Sequence, residues 1–321
     1  MMWFNRKIGI CIGLLWAAGC SSGFLGLSPA GDRHEYVSAR TAYEAGEYQA
    51  AVTQLTAYIY KTKNIARREA RAYRLLGRSY EQLGDSVRAL EVYLEALEFH
   101  PDNVPLLIEA GRLYQENGLT ERSMELYARA LEEEPHNADA LAGQALNYTH
   151  RGFYSKARSL YDQFFVLRPQ AAPVYRARYA DTFLRQRNYA QAFIHISVAL
   201  GQESSNADFW RISAEARYGL IQLREALEDL ETAIRLAPER KDLLAQKALW
   251  LYKAGEYKKS LQTTREILRQ EPENSLARLV QALNWQRQGK VKAARKQWVD
   301  IAQTDPRSFV GQVAGKLAER K

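Results

Sequence analysis

Reactive side chains are few and scattered in this sequence. There are two cysteines, Cys11 and Cys20, and five single histidines, His34, His100, His136, His150 and His195. Two thiols cannot build a disulfide framework or a four-ligand zinc site by themselves. Glu132, Glu133 and Glu134 form one carboxylate cluster beside Pro135, where a solvated turn is expected rather than acid–base machinery. No Gly-rich phosphate loop, GxSxG, HExxH or CxxC motif is present. The expectation is therefore no catalytic residue, no metal and no cofactor.

Composition sets the frame for these residues. The chain has 321 residues, 46% hydrophobic and 26% charged, as in an ordinary folded protein. Length alone, at about 150 residues per domain, suggests about two domains. With 45 Lys plus Arg against 37 Asp plus Glu, the net charge of +8 is only mildly basic. No aromatic-plus-basic recognition module accompanies it, so nucleic-acid binding is not expected.

The N-terminus gives Cys20 a setting. Arg6 and Lys7 precede an uncharged run from Ile8 to Ala18. That run is too short for a bilayer core, which needs about 20 residues, and matches a secretory signal peptide. It ends in Ala17-Ala18-Gly19-Cys20, followed by Ser21 and Ser22. This resembles the lipobox of bacterial lipoproteins, with Ala17 where Leu is commonest. The resemblance implies removal of residues 1–19 and lipidation of Cys20. Ser21, in place of the Asp that retains many lipoproteins in the inner membrane, implies the outer membrane's periplasmic leaflet. The competing reading is an ordinary cleaved signal with an incidental cysteine. Residues 20–31 are small and Gly/Ser-rich and read as a tether reaching roughly 18 Å.

The remainder is periodic. Pro101, Pro135 and Pro169 are 34 residues apart, as are Pro238, Pro272 and Pro306. Repeat starts at 32, 70, 104, 138, 173, 207, 241 and 275 put small residues at the eighth position of every repeat, from Ala39 and Gly77 to Ala282. The twentieth position is equally small, from Ala51 and Ala89 to Ala294, with Ser123 and Ser260 in two repeats. Small residues at fixed crossing points let paired helices approach closely. Large residues such as Tyr114, Tyr127, Tyr161 and Trp298 surround those crossings. The fifteenth position is Gly in six repeats, where the first helix ends; repeats five and six carry Arg187 and Ile221 instead.

From about residue 32 to 308 the chain resembles the tetratricopeptide-repeat family. The resemblance implies an all-α, right-handed α-solenoid of about eight helix-turn-helix repeats. Residues 309–321 read as a capping helix, since a terminal repeat needs its apolar face covered. These segments fill the chain, so one continuous solenoid replaces the two domains suggested by length. Trp210 and Trp298 fall at core positions, with Trp250 and Trp285 assigned to the core less firmly by position.

In that family, repeat positions two, five, nine, twelve and thirteen tend to face a concave groove. Those positions, with their neighbours, nominate Arg33, Tyr36, Arg40, Tyr43, Arg71, Arg74, Arg78 and Arg112 for partner binding. Arg forks suit carboxylates, and Tyr adds contact area. The competing reading is local pairing, Arg40 with Glu44 and Arg112 with Glu116. Farther along, Ala142, Leu146, Val174, Ala177 and Leu184 are expected on the inner wall, followed by Ala245, Leu249, Tyr252, Leu276, Leu279 and Leu283. Some of these residues are open to burial by neighbouring repeats.

The expected function is a lipid-anchored periplasmic scaffold for other envelope proteins, serving a pilus, secretion, outer-membrane or peptidoglycan complex. The alternative is a carrier or co-chaperone for unfolded or secreted clients. No small-molecule substrate is expected. Charge is graded: residues 32–137 are net −5, 138–240 net +2 and 241–321 net +9. Lys258, Lys259, Lys290, Lys292, Arg295 and Lys296 offer a second contact for an anionic partner, or simply a solvated surface.

Overall fold

The computed structural model describes residues 29–61 and 69–319, which form seventeen helices and no strand. The chain divides into two compact units, residues 1–89 and 90–321, with the border inside a helix. In the first unit, α1 (Pro29–Glu44) pairs with α2 (Tyr48–Lys61), and α3 (Ala70–Gln82) leads into α4 (Ser86–Phe99), which crosses the border. The second unit is a series of hairpins. They are α5 (Val104–Glu116) with α6 (Thr120–Glu133), α7 (Ala138–His150) with α8 (Tyr154–Leu167), and α9 (Pro173–Arg185) with α10 (Tyr189–Gln202). Next come α11 (Ala207–Gly219) with α12 (Leu223–Leu236), α13 (Lys241–Lys253) with α14 (Tyr257–Gln270), and α15 (Ser275–Arg287) with α16 (Val291–Thr304), followed by α17 (Phe309–Ala318). This is a helical-repeat solenoid. α1 starts at Pro29, inside the stretch read as a tether; proline's fixed φ and missing N–H suit the first helical turn.

Local chemistry explains where the helices begin and turn. Asn103, Asn137, Asn206 and Asn274 cap α5, α7, α11 and α15, each side-chain oxygen accepting from a first-turn backbone N–H. α9 has no such cap and opens on Pro173. Between the helices of each hairpin one residue takes a left-handed conformation. It is Gly in six hairpins, with φ between 74° and 81°, but Arg187 and Ile221 in the other two, at φ 60° and 65°. The turn geometry is thus kept where its preferred residue is missing, at a steric cost.

The core follows the small-residue register. Ala145, Ala180, Ala214, Ala248 and Ala282 on first helices are fully buried, as are Ala157, Ala192, Ala226 and Ala294 on second helices. Ser123 and Ser260 occupy that second-helix position in two repeats and make it polar. Ser123 Oγ donates to Gly111 O at 2.7 Å and accepts from Asn147 Nδ2 at 2.8 Å. Ser260 Oγ repeats this with Ala248 O at 2.8 Å and Asn284 Nδ2 at 2.9 Å. Each Asn belongs to the next repeat's first helix, so the pair is a buried latch between repeats.

α17 packs on α15 and α16. Ala314 and Ala318 join Leu279, Ala282, Ala294, Trp298 and Ile301 in one cluster. A Cβ at Gly311 would lie 1.8 Å from Asp305 O, so only glycine allows this close approach. Trp298 and Trp250 are buried, while Trp210 and Trp285 are half-buried against the same cores.

Candidate functional site

Cys20 and the side chain of Arg33 lie outside the described residues. In the first unit, α1 and α3 bring Tyr36 and Arg71 together. The Arg71 guanidinium sits 4.6 Å from the centroid of the Tyr36 ring and is also paired with Glu69. Tyr36 leans on Tyr58, with ring centroids 6.0 Å apart, and Tyr43 meets Tyr48 edge-on at 5.5 Å. Arg40 is held by Glu44 at 3.2 Å, with both side chains more than half exposed. Arg74 and Arg78 are half-buried on α3. The structure thus joins Tyr36 with Arg71 and binds Arg40 to its own helix neighbour. Exposed pairs of this kind contribute only about 0–1 kcal/mol, so a partner's carboxylate can displace Glu44 cheaply.

In the second unit a buried tyrosine lies within the field of basic residues. Tyr127 of α6 is almost fully buried, its ring slotted between Gly111 of α5 and Gly143 of α7. A Cβ at Gly143 would come within 2.2 Å of Tyr127 Cζ, and one at Gly111 within 3.4 Å. The missing side chain at Gly143 opens the slot, while a Cβ at Gly111 would only touch the ring. Burial pushes the Tyr127 phenol up from its ordinary value, while Arg112 of α5 and Arg178 of α9 pull it down. Arg112 is fastened to Glu116 at 2.8 Å and Glu109 at 3.5 Å. Arg178 lies 5.6 Å from the Tyr175 ring centroid, with no ion pair to an acid among the described residues.

His150, at the end of α7, reports the same field. Its pKa is held below the ordinary value, first by burial and then by Arg185, with Asp181 opposing and Arg178 adding. Arg185 is itself paired with Asp181 at 2.7 Å. Arg112, His150, Arg178 and Arg185 all come from first helices. Of these, Arg112 and Arg178 act on the Tyr127 phenol, opposed by Glu116 and Glu109, while Arg185 and Arg178 favour the neutral form of His150; guanidiniums suit an anionic group rather than proton transfer. Beside them, Arg176 stacks 3.7 Å from the Phe165 centroid, and His195 lies between Tyr179 and Phe183, at 4.5 and 5.2 Å.

The groove positions named from the sequence include Arg112 and omit Arg178, which stands at the sixth position of its repeat. The visible signals were the alternation Tyr175-Arg176-Ala177-Arg178-Tyr179 and the two glycines flanking Tyr127's place in the fold. The expected apolar inner wall is largely core. Ala142, Ala177, Leu184, Ala245 and Leu279 are buried against neighbouring helices, while Leu146, Leu249, Tyr252, Leu276 and Leu283 are half-buried and Val174 is exposed. Packing against second helices as well as neighbouring first helices consumes those side chains. A recess of about 790 Å³ lies instead among α12, α13 and α14 and is lined by Leu227, Glu228, Glu231, Lys247, Lys259 and Glu266 among others. Lys247 and Glu231 pair there at 2.8 Å. No cluster of metal-ligating residues occurs among the described residues.

Fold and site together define an all-helical repeat protein of the kind that holds other proteins. The family model described as tetratricopeptide repeat matches residues 36–104, 108–172 and 246–308, more than half of the chain. The chain belongs to the tetratricopeptide-repeat family. A tetratricopeptide repeat protein from Parabacteroides merdae is similar at 17% identity and a TM-score of 0.60, over 79% of this chain and 98% of that one. The Cut9–Hcn1 hetero-tetramer of the APC/C contains a chain similar at 12% identity and a TM-score of 0.64, over 85% of this chain and 53% of that one. Pseudomonas aeruginosa pilF is similar at 19% identity and a TM-score of 0.55, over 66% of this chain and 96% of that one. At these identities the likeness concerns the fold. No curated protein sequence matches the chain significantly.

Proposed function

We propose that this protein is a lipid-anchored scaffold that holds acidic, extended segments of envelope proteins against its first-helix face. The observation that carries the reading is a first-helix face bearing guanidiniums beside aromatic rings, Arg71 at 4.6 Å from Tyr36 and Arg178 at 5.6 Å from Tyr175, with Arg112 and Arg178 also acting on the Tyr127 phenol. Arg forks donate to carboxylates in two-point geometry, which suits an acidic segment. Tyr36 and Arg71 offer a similar pairing in the first unit, beside Arg40, Tyr43, Arg74 and Arg78. The anchor is Cys20, in a lipobox-like sequence, and acyl chains contribute about 0.8 kcal/mol per buried CH₂. Ser21 favours the outer membrane, facing the periplasm. Assembly or maintenance of an envelope machine is the role that fits a tethered binding surface with no catalytic constellation in its sequence.

The deciding experiment is crosslinking in cells with the Arg112→Glu/Arg178→Glu double variant. Loss of a stoichiometric partner, with the helical circular-dichroism signal unchanged, is expected. Undiminished capture of that partner refutes the site. Incorporation of labelled fatty acid into wild type but not into Cys20→Ser tests the anchor.

A further inference from the structure

Two surface clusters of the second unit are mismatched to their own helices and matched to each other. α6 ends on Glu132 and Glu133, followed by Glu134, all exposed. Three carboxylates sit at the negative end of the helix dipole, where they are disfavoured. Only Glu134 has a described partner, accepting from Asn137 Nδ2 at 2.7 Å. A recess of about 550 Å³ adjoins them, lined by Glu134, Pro135, His136, Asn137, Leu167 and Arg168 among others. Arg168 is already committed to Asp139 at 2.8 Å.

α16 shows the reverse. Lys290, Lys292, Arg295 and Lys296 crowd its first turns, at the positive end of the dipole, and all four are exposed. No described acid pairs with them. The carboxylate of the same helix, Asp300, is engaged elsewhere, with Arg278. Exposed Val291 and Val299 flank the cations on the same helix.

Position makes the match intermolecular. α6 ends at a turn leading from a second helix to a first helix, whereas α16 begins after a turn leading from a first helix to a second. Successive hairpin helices run antiparallel, so these two kinds of turn open on opposite edges of the unit. We propose that the basic start of α16 docks on the acidic end of α6 in a second copy of this chain. Basic side chains enter the recess beside Glu134, and each cluster receives the counter-charge its own helix lacks. The contact joins two different patches, so it is heterologous and repeats head to tail. A scaffold built this way multiplies its binding grooves along a row.

The test is sedimentation velocity on the purified full-length protein. In 50 mM salt, species larger than the monomer are expected, and 500 mM salt should weaken association about tenfold or more by screening. Glu132→Lys/Glu133→Lys alone and Lys292→Glu/Arg295→Glu/Lys296→Glu alone should each be monomeric. Mixing the two variants, or combining all five changes in one chain, should restore the larger species, which a folding defect would not do. A monomeric wild type at low salt overturns the proposal. So does association that survives either reversal made alone, or a monomer whose α16 cations bind phosphatidylglycerol vesicles instead.

Discussion

The buried Ser–Asn latches lead to a quantitative expectation. Ser123 and Asn147 have no exposed surface, and the amide is satisfied on both sides: Nδ2 donates to Ser123, and Oδ1 accepts from Gln115 Nε2 at 2.6 Å. Ser123→Ala removes the acceptor and strands Asn147 Nδ2 in the core. A buried donor left without a partner costs about 1–3 kcal/mol. Gly111 O also loses the hydroxyl but keeps its own helix, so the total expected is about 2 kcal/mol. Asn147→Leu alone should cost a similar amount, because the hydroxyl and Gln115 lose their partner, although Gln115 retains Gly143 O at 2.9 Å. The double variant removes both polar partners and should be less destabilised than the sum by about 1–2 kcal/mol. The second latch should couple more weakly, since Asn284 Oδ1 finds no partner among the described residues. Hydrogen exchange of α5–α8 amides is the assay, because a repeat stack opens locally. Strict additivity of the two single changes would refute the reasoning.

Other expectations follow from the same geometry. Gly143→Ala should destabilise the second unit by about 2–4 kcal/mol, because the new Cβ would meet the Tyr127 ring at 2.2 Å and force it from its slot; urea unfolding with an unchanged midpoint would contradict this. Ile221→Gly should stabilise by about 0.5–1 kcal/mol, the relief of a left-handed β-branched residue less the entropy of glycine, and a lowered melting temperature would count against it. His195 is held below its ordinary value of 6.5, first by burial and then by Arg176, with Asp162 opposing. The unfolded chain therefore takes up a proton that the fold resists, so stability is greatest above pH 6.5 and falls as pH drops below it. His195→Gln should flatten that slope in thermal melts, and an undiminished slope would assign it elsewhere.

Much of the fold was legible because repetition averages out local ambiguity. One small residue at a crossing proves little, but smallness recurring at Ala145, Ala180, Ala214, Ala248 and Ala282 is a packing requirement. The division at Ala89 was not legible, because α4 carries the repeat pattern unbroken across it. The left-handed turns at Arg187 and Ile221 were invisible for a related reason. Neither residue prefers that conformation, and the hairpins around them impose it.

The candidate site was legible in residue type and not in arrangement. Position rules inferred from a family average put Leu184 and Leu279 on an open wall, yet both are buried in the cores between helices. The same rules missed Arg178, because it stands at the sixth position and acts on Tyr127, which belongs to a different repeat. Gly111 lies in one repeat and Gly143 in the next, and Tyr127 reaches between them only once both helices are stacked. A groove of this kind is a property of the interface between repeats. Substituting Gly143 would therefore displace the Tyr127 ring from between the helices without touching any charge. Binding lost through Gly143→Ala in protein that still folds would locate the site at that interface rather than on any one helix.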